Sequence, residues 1–111
     1  MNTEVDENIY ISNDADFLTL KSNNGQITID GSATGMHLKA LCGSIKIGET
    51  VDITYISAFD EICIEENIIA KNIVAGNGLH VGDSIINSAS YSNMKISILN
   101  GGLHSKNLKI N

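Results

Sequence analysis

Residues 45–98 contain one pattern four times, as Ile45-Lys46-Ile47, Ile62-Cys63-Ile64, Leu79-His80-Val81 and Ile96-Ser97-Ile98. Each copy begins seventeen positions after the one before it. In each copy two aliphatic residues flank a third residue, and this spacing puts both aliphatic side chains on the same face of a β-strand. Four copies at one interval predict four strands stacked in register, as in a coil that repeats at i and i+17.

Neighbouring positions follow the same interval, because Val51, Ile68 and Ile85 are also seventeen positions apart. Upstream, Ile29 precedes Ile47 by eighteen positions, which places one extra residue in that turn. Seventeen residues at about 3.3 Å each give a perimeter of roughly 55 Å, enough for three short strands joined by bends. We therefore predict an all-β fold, a single-stranded β-solenoid (β-helix) with a three-sided coil, and a flattened two-sided coil is left open.

The repeat also divides the chain into two predicted regions. Residues 17–111 are predicted to form the β-solenoid domain, and residues 1–16 an N-terminal cap or a flexible tail. An antiparallel sandwich or meander competes with this interpretation, because strand starts recur about every 8 to 9 residues. A sandwich has no reason to repeat residue types at one fixed interval, so the columns favour the solenoid.

Composition narrows the function classes. The chain has 13 Asp and Glu against 7 Lys and Arg, a net charge of −6, whereas surfaces that bind nucleic acid or anionic membranes need clustered positive charge. No apolar run approaches the roughly 20 residues of a membrane-spanning helix, and residues 1–10 do not resemble a secretory signal. Cys42 and Cys63 occupy different positions in the repeat, so we expect free thiols and a cytoplasmic protein.

One outward column could carry chemistry. Lys46, Cys63, His80 and Ser97 each lie between the two inward residues of a strand, so the repeat predicts that they form an outward face. A Cys/His pair can act as nucleophile and base. Carboxylates two residues from Cys63 would raise the thiol pKa, however, where catalysis needs it lowered. We interpret the column as a solvated face and predict neither an enzyme nor a cofactor.

A second column is acidic and lies at a predicted corner, where Glu49, Glu66 and Asp83 follow one another at the repeat interval. Stacked carboxylates repel one another unless turn hydrogen bonds or a cation compensate. The segment lacks the Gly-Gly-x-Gly-x-Asp repeat of calcium-binding β-rolls, and the three histidines share no column. We assign no metal ligands and interpret these residues as an acidic interaction column, leaving cation binding open.

The C-terminal segment alternates like a strand and ends the predicted stack. An uncapped last strand exposes unpaired backbone groups, which can pair with another copy. We predict a self-association edge at Leu103, Leu108 and Ile110. Lys106 and Lys109 would either oppose open-ended stacking or complement an acidic surface.

Two segments resemble a known family. Ile27-Thr28-Ile29-Asp30-Gly31-Ser32-Ala33-Thr34-Gly35 and Ser44-Ile45-Lys46-Ile47-Gly48-Glu49-Thr50 are similar to the strand and corner motifs of the bactofilins. Bactofilins are bacterial cytoskeletal proteins, built as right-handed β-solenoids, that form polymers. The resemblance implies a β-solenoid that assembles with copies of itself.

Three functions follow from these observations. The first is a non-enzymatic structural or interaction module that forms a homo-oligomer through the solenoid ends, or binds a protein partner along a flat face. The second is an acidic inhibitor that mimics nucleic acid and blocks a basic site on a partner. The third, an enzyme on the same scaffold, would depend on the dense acids Asp60, Glu61 and Glu65.

Overall fold

The structure is a computed structural model; it describes residues 2–87 and 94–110, with only the backbone described for 108–110. The described residues form strands and turns without a helix. The strands are β1 (Asn2–Val5), β2 (Ile9–Ile11), β3 (Ala15–Ser22), β4 (Ile27–Ile29), β5 (Ala33–Ala40), β6 (Ile45–Ile47), β7 (Val51–Ala58), β8 (Ile62–Ile64), β9 (Ile68–Ala75), β10 (Leu79–Asn87), β11 (Lys95–Ile98) and β12 (Leu103–Ile110).

Described strands pair in parallel with the strand one coil away. Leu79 of β10, for example, lies opposite Ile62 of β8, which lies opposite Ile45 of β6. Parallel pairing of successive coils confirms the β-solenoid and excludes an antiparallel sandwich or meander.

Each coil has three sides, as β7 illustrates. Val51 and Ile53 are buried, and the next buried residues are Ile56 and Ala58. Strict alternation would have buried Tyr55, so the chain bends between Ile53 and Ile56 and turns a new face inward. The first side consists of the short strands β2, β4, β6 and β8 and the starts of β10 and β12. The second side consists of the first halves of the long strands β3, β5, β7 and β9 and the ends of β10 and β12. The third side consists of the second halves of those long strands together with β1 and β11.

Coil length changes only at particular corners. The step is eighteen positions from Ile9 to Ile27 and from Ile27 to Ile45, and seventeen from Ile45 to Ile62 and from Ile62 to Leu79. The corner between the third and first sides accounts for this difference, with four residues at 41–44 and three at 59–61. The extra residue expected before Ile47 is therefore present, and the coil before it has the same length.

The fixed interval of seventeen residues places the fourth copy of the opening pattern, Ile96-Ser97-Ile98, on the wrong side of the coil. Ile96 lies opposite Ile73 on the third side, twenty-three positions away. Leu103, twenty-four positions after Leu79, takes the place on the first side. Six additional residues separate the second and third sides of the last coil, and residues 88–93, outside the described residues, lie in that interval.

Residues 1–16, for which the sequence left a cap and a flexible tail open, carry two strands. β1 pairs with β3, and β2 pairs with β4. Ile9 and Ile11 are half-buried and pack against the core. The described stack therefore begins at residue 2.

The interior consists of rows of aliphatic side chains. Ile27, Ile45, Ile62 and Leu79 succeed one another on the first side with 0% exposure. Burying one such side chain contributes roughly 1.5–3 kcal/mol, so these rows supply the main stabilising term. Among the described residues no helix is long and apolar enough to cross a membrane.

Candidate functional site: outward columns and end rungs

The outward column on the first side contains three of its four expected members. Lys46 lies opposite Cys63, and Cys63 lies opposite His80. The next member is His104, so the expectation that no two histidines share a column was wrong for His80 and His104. Ser97 was wrongly placed in this column, because it lies opposite Val74 on the third side. The longer last coil is the cause of that displacement.

The two histidine rings of this column stack on each other. The ring centroids of His80 and His104 are 4.8 Å apart and the planes differ by 7°. On its other side His80 places Nε2 3.6 Å from Oε2 of Glu61. A shallow groove of about 460 Å³ runs past these rings and is also lined by Cys63 and Lys106.

The environment of Cys63 disfavours the thiolate form of its side chain. Partial burial raises the pKa of its thiol above the ordinary value, and the nearby Glu61 carboxylate raises it further. Lys46 opposes these effects, while Glu65 and Asp60 add to them. The thiolate is the reactive form of cysteine, so this environment disfavours the catalysis that a Cys/His pair could suggest.

The acidic column is present as a stacked corner. The backbone N–H of Glu66 donates to the carbonyl of Glu49 (3.2 Å), and the N–H of Asp83 donates to the carbonyl of Glu66 (2.8 Å). Glu49, Glu66 and Asp83 therefore lie on consecutive rungs, about 4.8 Å apart along the axis.

Each carboxylate of this column accepts a hydrogen bond from a neighbouring side chain. Ser32 donates to Glu49 (3.2 Å), Thr50 to Glu66 (3.1 Å) and Ser84 to Asp83 (3.2 Å). No group of three or more His, Cys, Asp or Glu residues in the described part of the chain could hold a metal ion. Turn hydroxyls thus provide compensation for the stacked negative charge.

Two of the other dense acids, Asp60 and Glu61, have partners on neighbouring coils. Asp60 accepts hydrogen bonds from the Asn77 side chain (2.8 Å) and the Ser44 hydroxyl (3.1 Å). Glu61 faces His80. These contacts join successive coils at the corner, and they are the contacts of a turn.

An apolar groove at the same corner was not predicted from the sequence. Leu41, Phe59, Gly76 and Leu99 follow one another on consecutive rungs. Phe59 is 66% and Leu99 75% exposed, and with Val74 they line a groove of about 330 Å³ beside Gly76. The steps within this column are eighteen, seventeen and twenty-three positions, so no fixed period detects it.

Both end rungs have an outer edge that no other described strand pairs. At the C-terminal edge, β11 pairs only with β9 and β12 only with β10. Leu103 is 46% exposed there, and Ile96 and Ile98 are half-buried. Leu108 and Ile110 lie in β12 in register with Ile85 and Asn87, and their side chains are outside the described part.

The N-terminal edge is the counterpart of this edge, in the segment for which the sequence left a cap and a flexible tail open. β1 pairs only with β3 and β2 only with β4, and Ile9 and Ile11 are half-buried. Tyr10 projects from β2 and donates a hydrogen bond to the Asp30 carboxylate, which raises the pKa of its phenol above the ordinary value. The Ile9-x-Ile11 alternation was the available signal for this strand.

Comparisons of the chain with protein-family models, with curated proteins and with solved structures found no match.

Proposed function

We propose that the chain is a non-enzymatic structural module that associates with further copies of itself through the end rungs of its solenoid. The observation that carries this proposal is the pair of outer edges that no other described strand pairs, each flanked by half-buried aliphatic residues. An interior rung hydrogen-bonds to both neighbours, whereas an end rung leaves one row of N–H and C=O groups available. A second copy supplies the complementary row and covers the half-buried residues.

Other features agree with this role. The raised pKa of Cys63 and the turn contacts of Asp60 disfavour a catalytic use of these groups. The resemblance to the bactofilins is part of the proposal and implies a bacterial protein that polymerises. Cys42 and Cys63 are free, which fits the reducing cytoplasm that we propose as its location.

The test is association as a function of protein concentration, measured by light scattering and negative-stain microscopy. Leu103→Lys puts a charge on the C-terminal edge at a residue that is 46% exposed. Burying that charge in an end contact is costly, so the variant is expected to stay monomeric where the wild type associates.

Met36→Lys is the matched control, because Met36 is 45% exposed and belongs to an interior rung. The control is expected to associate like the wild type. A wild type that is monomeric at every concentration, or a Leu103→Lys variant that associates normally, would contradict assembly through the ends.

A second candidate function rests on the acidic column. Glu49, Glu66 and Asp83 present carboxylates at rung spacing, which fits an acidic protein that occupies a basic cleft in place of nucleic acid. The chain should then displace fluorescent duplex DNA from a basic DNA-binding protein, and Glu49→Gln, Glu66→Gln, Asp83→Asn together should abolish displacement. Neutralising Glu4, Glu7 and Asp16 changes the net charge equally and should have no effect.

A further inference from the structure

Resting on the proposed association, we propose that copies join head to tail, with the acidic N-terminal rung of one copy seated on the basic C-terminal rung of another. The contact is between two different surfaces of the same chain. Such a heterologous contact leaves a free end on each side, so it propagates into a polar filament.

Charge differs sharply between the two ends. Residues 1–16 contain no Lys or Arg and five acidic residues, Glu4, Asp6, Glu7, Asp14 and Asp16. Residues 94–111 contain no Asp or Glu and three lysines, Lys95, Lys106 and Lys109. Opposite charge on the two ends favours contact between unlike ends and disfavours contact between like ends.

The strand register places residues of opposite charge at the two ends of the same columns. On the second side, one column of paired positions starts at Asp16 and passes through Thr34, Asp52, Ile69 and Ile86 to Lys109. If the next copy continues the stack in this register, its Asp16 occupies the position directly after Lys109. On the third side, a second column begins at Asn2 and ends at Lys95. Glu4 lies two residues after Asn2 on the same face of β1, so Glu4 of the next copy would lie near Lys95.

The first side offers matching apolar and aromatic positions. The outward column there begins with Tyr10 and ends with His104, so the next Tyr10 would follow the stacked His80 and His104 rings. The neighbouring inward column begins with Ile9 and ends with Leu103. In this register an exposed aliphatic residue on one end meets a half-buried one on the other.

Contacts between like ends lack these features. Joining two C-terminal rungs through a two-fold axis would bring together two rungs that each carry Lys95, Lys106 and Lys109 and no acidic residue. Joining two N-terminal rungs would crowd ten carboxylates, five from each copy. Either contact would also pair the edge strands antiparallel, whereas the described strand pairings within the chain are parallel.

Two charge reversals test this polarity. Asp16→Lys makes the N-terminal position repel Lys109, and Lys109→Glu makes the C-terminal position repel Asp16. Each variant alone should associate about fivefold to tenfold more weakly than the wild type in low salt. An equimolar mixture should recover wild-type association, because each variant then meets a partner end of opposite charge.

Several results would overturn head-to-tail joining. A Lys109→Glu variant that assembles more strongly alone indicates contact between C-terminal ends, and the same result for Asp16→Lys indicates contact between N-terminal ends. If both variants assemble like the wild type, these two charges do not determine which ends join. That result would overturn the present inference and leave the proposed association through the ends in place. A wild type that never associates removes both this inference and the proposed function.

Glu65→Lys serves as the control, because it makes the same charge change as Asp16→Lys at an exposed residue of an interior rung. This variant should associate like the wild type in low salt. The wild-type association should also weaken between 0.1 M and 1 M NaCl, since the screening length falls from about 10 Å to about 3 Å.

Discussion

At the scale of single residues, the environment of Cys63 determines its reactivity. Folding raises the pKa of this thiol through partial burial and the Glu61 carboxylate. Because the pKa in the folded state lies above that in the unfolded chain, the protonated form is favoured by folding. This contribution to stability is present below the ordinary thiol pKa and is lost as the pH rises through the raised value.

The reactivities of the two cysteines should therefore differ. Each cysteine can be measured alone, Cys63 in the Cys42→Ser variant and Cys42 in the Cys63→Ser variant. At pH 7.5 Cys63 should react with iodoacetamide about tenfold more slowly than Cys42. Cys42 is exposed, whereas the raised pKa of Cys63 makes its thiolate scarce. The measurement is alkylation followed by mass spectrometry. In denaturing urea the two rates should converge, and a faster reaction at folded Cys63 would contradict the assigned environment.

At the scale of elements, the sequence predicted strands better than corners. Inward pairs such as Ile45 and Ile47 or Ile62 and Ile64 lie in the predicted register, because alternation and a fixed interval both report the same buried row. Corner lengths are set by local turn geometry, and no row of buried side chains reports them. The six additional residues of the last coil therefore went undetected, and Ser97 was assigned to the wrong column.

The candidate sites illustrate the same limit. The acidic column lies at the one corner whose length is three residues in each of the coils at 30–32, 48–50 and 65–67, so its members were predicted correctly. The apolar groove beside Gly76 depends on the corner of variable length, and the sequence interval missed it. The N-terminal strands were left open between a cap and a flexible tail, because one short Ile-x-Ile pair is a weaker signal than a repeated column.

At the scale of the whole molecule, the coil is the unit of stability. Each interior coil contacts only its two neighbours, so removing one complete coil should shorten the stack without disturbing its register. Deleting residues 51–67 joins Thr50 to Ile68, which stands opposite Val51. The shortened chain should keep its β-sheet circular dichroism and show a smaller urea m-value, because less surface is exposed on unfolding.

Deletion of residues 51–71 is the matched control. It removes a full coil together with the first four residues of β9, including the buried Ile68 and Ala70, so the second side of that coil is lost and no loop can restore the column. This variant is expected to lose cooperative unfolding in urea. If both deletions were equally well folded, in-register stacking of aliphatic rows could not be what holds the coils together.

The near-constant coil length also governs how the chain can fold. Pairing partners are seventeen or eighteen positions apart over most of the stack. The loop that must close when each coil folds onto its neighbour is therefore short and nearly constant in length. Folding can begin at any adjacent pair of coils and proceed in either direction. The longer step from Leu79 to Leu103 raises the loop-closure free energy by only about 0.3 kcal/mol. The last coil can therefore join late at little kinetic cost, and in the proposed filament a neighbouring copy would offer it a preformed template.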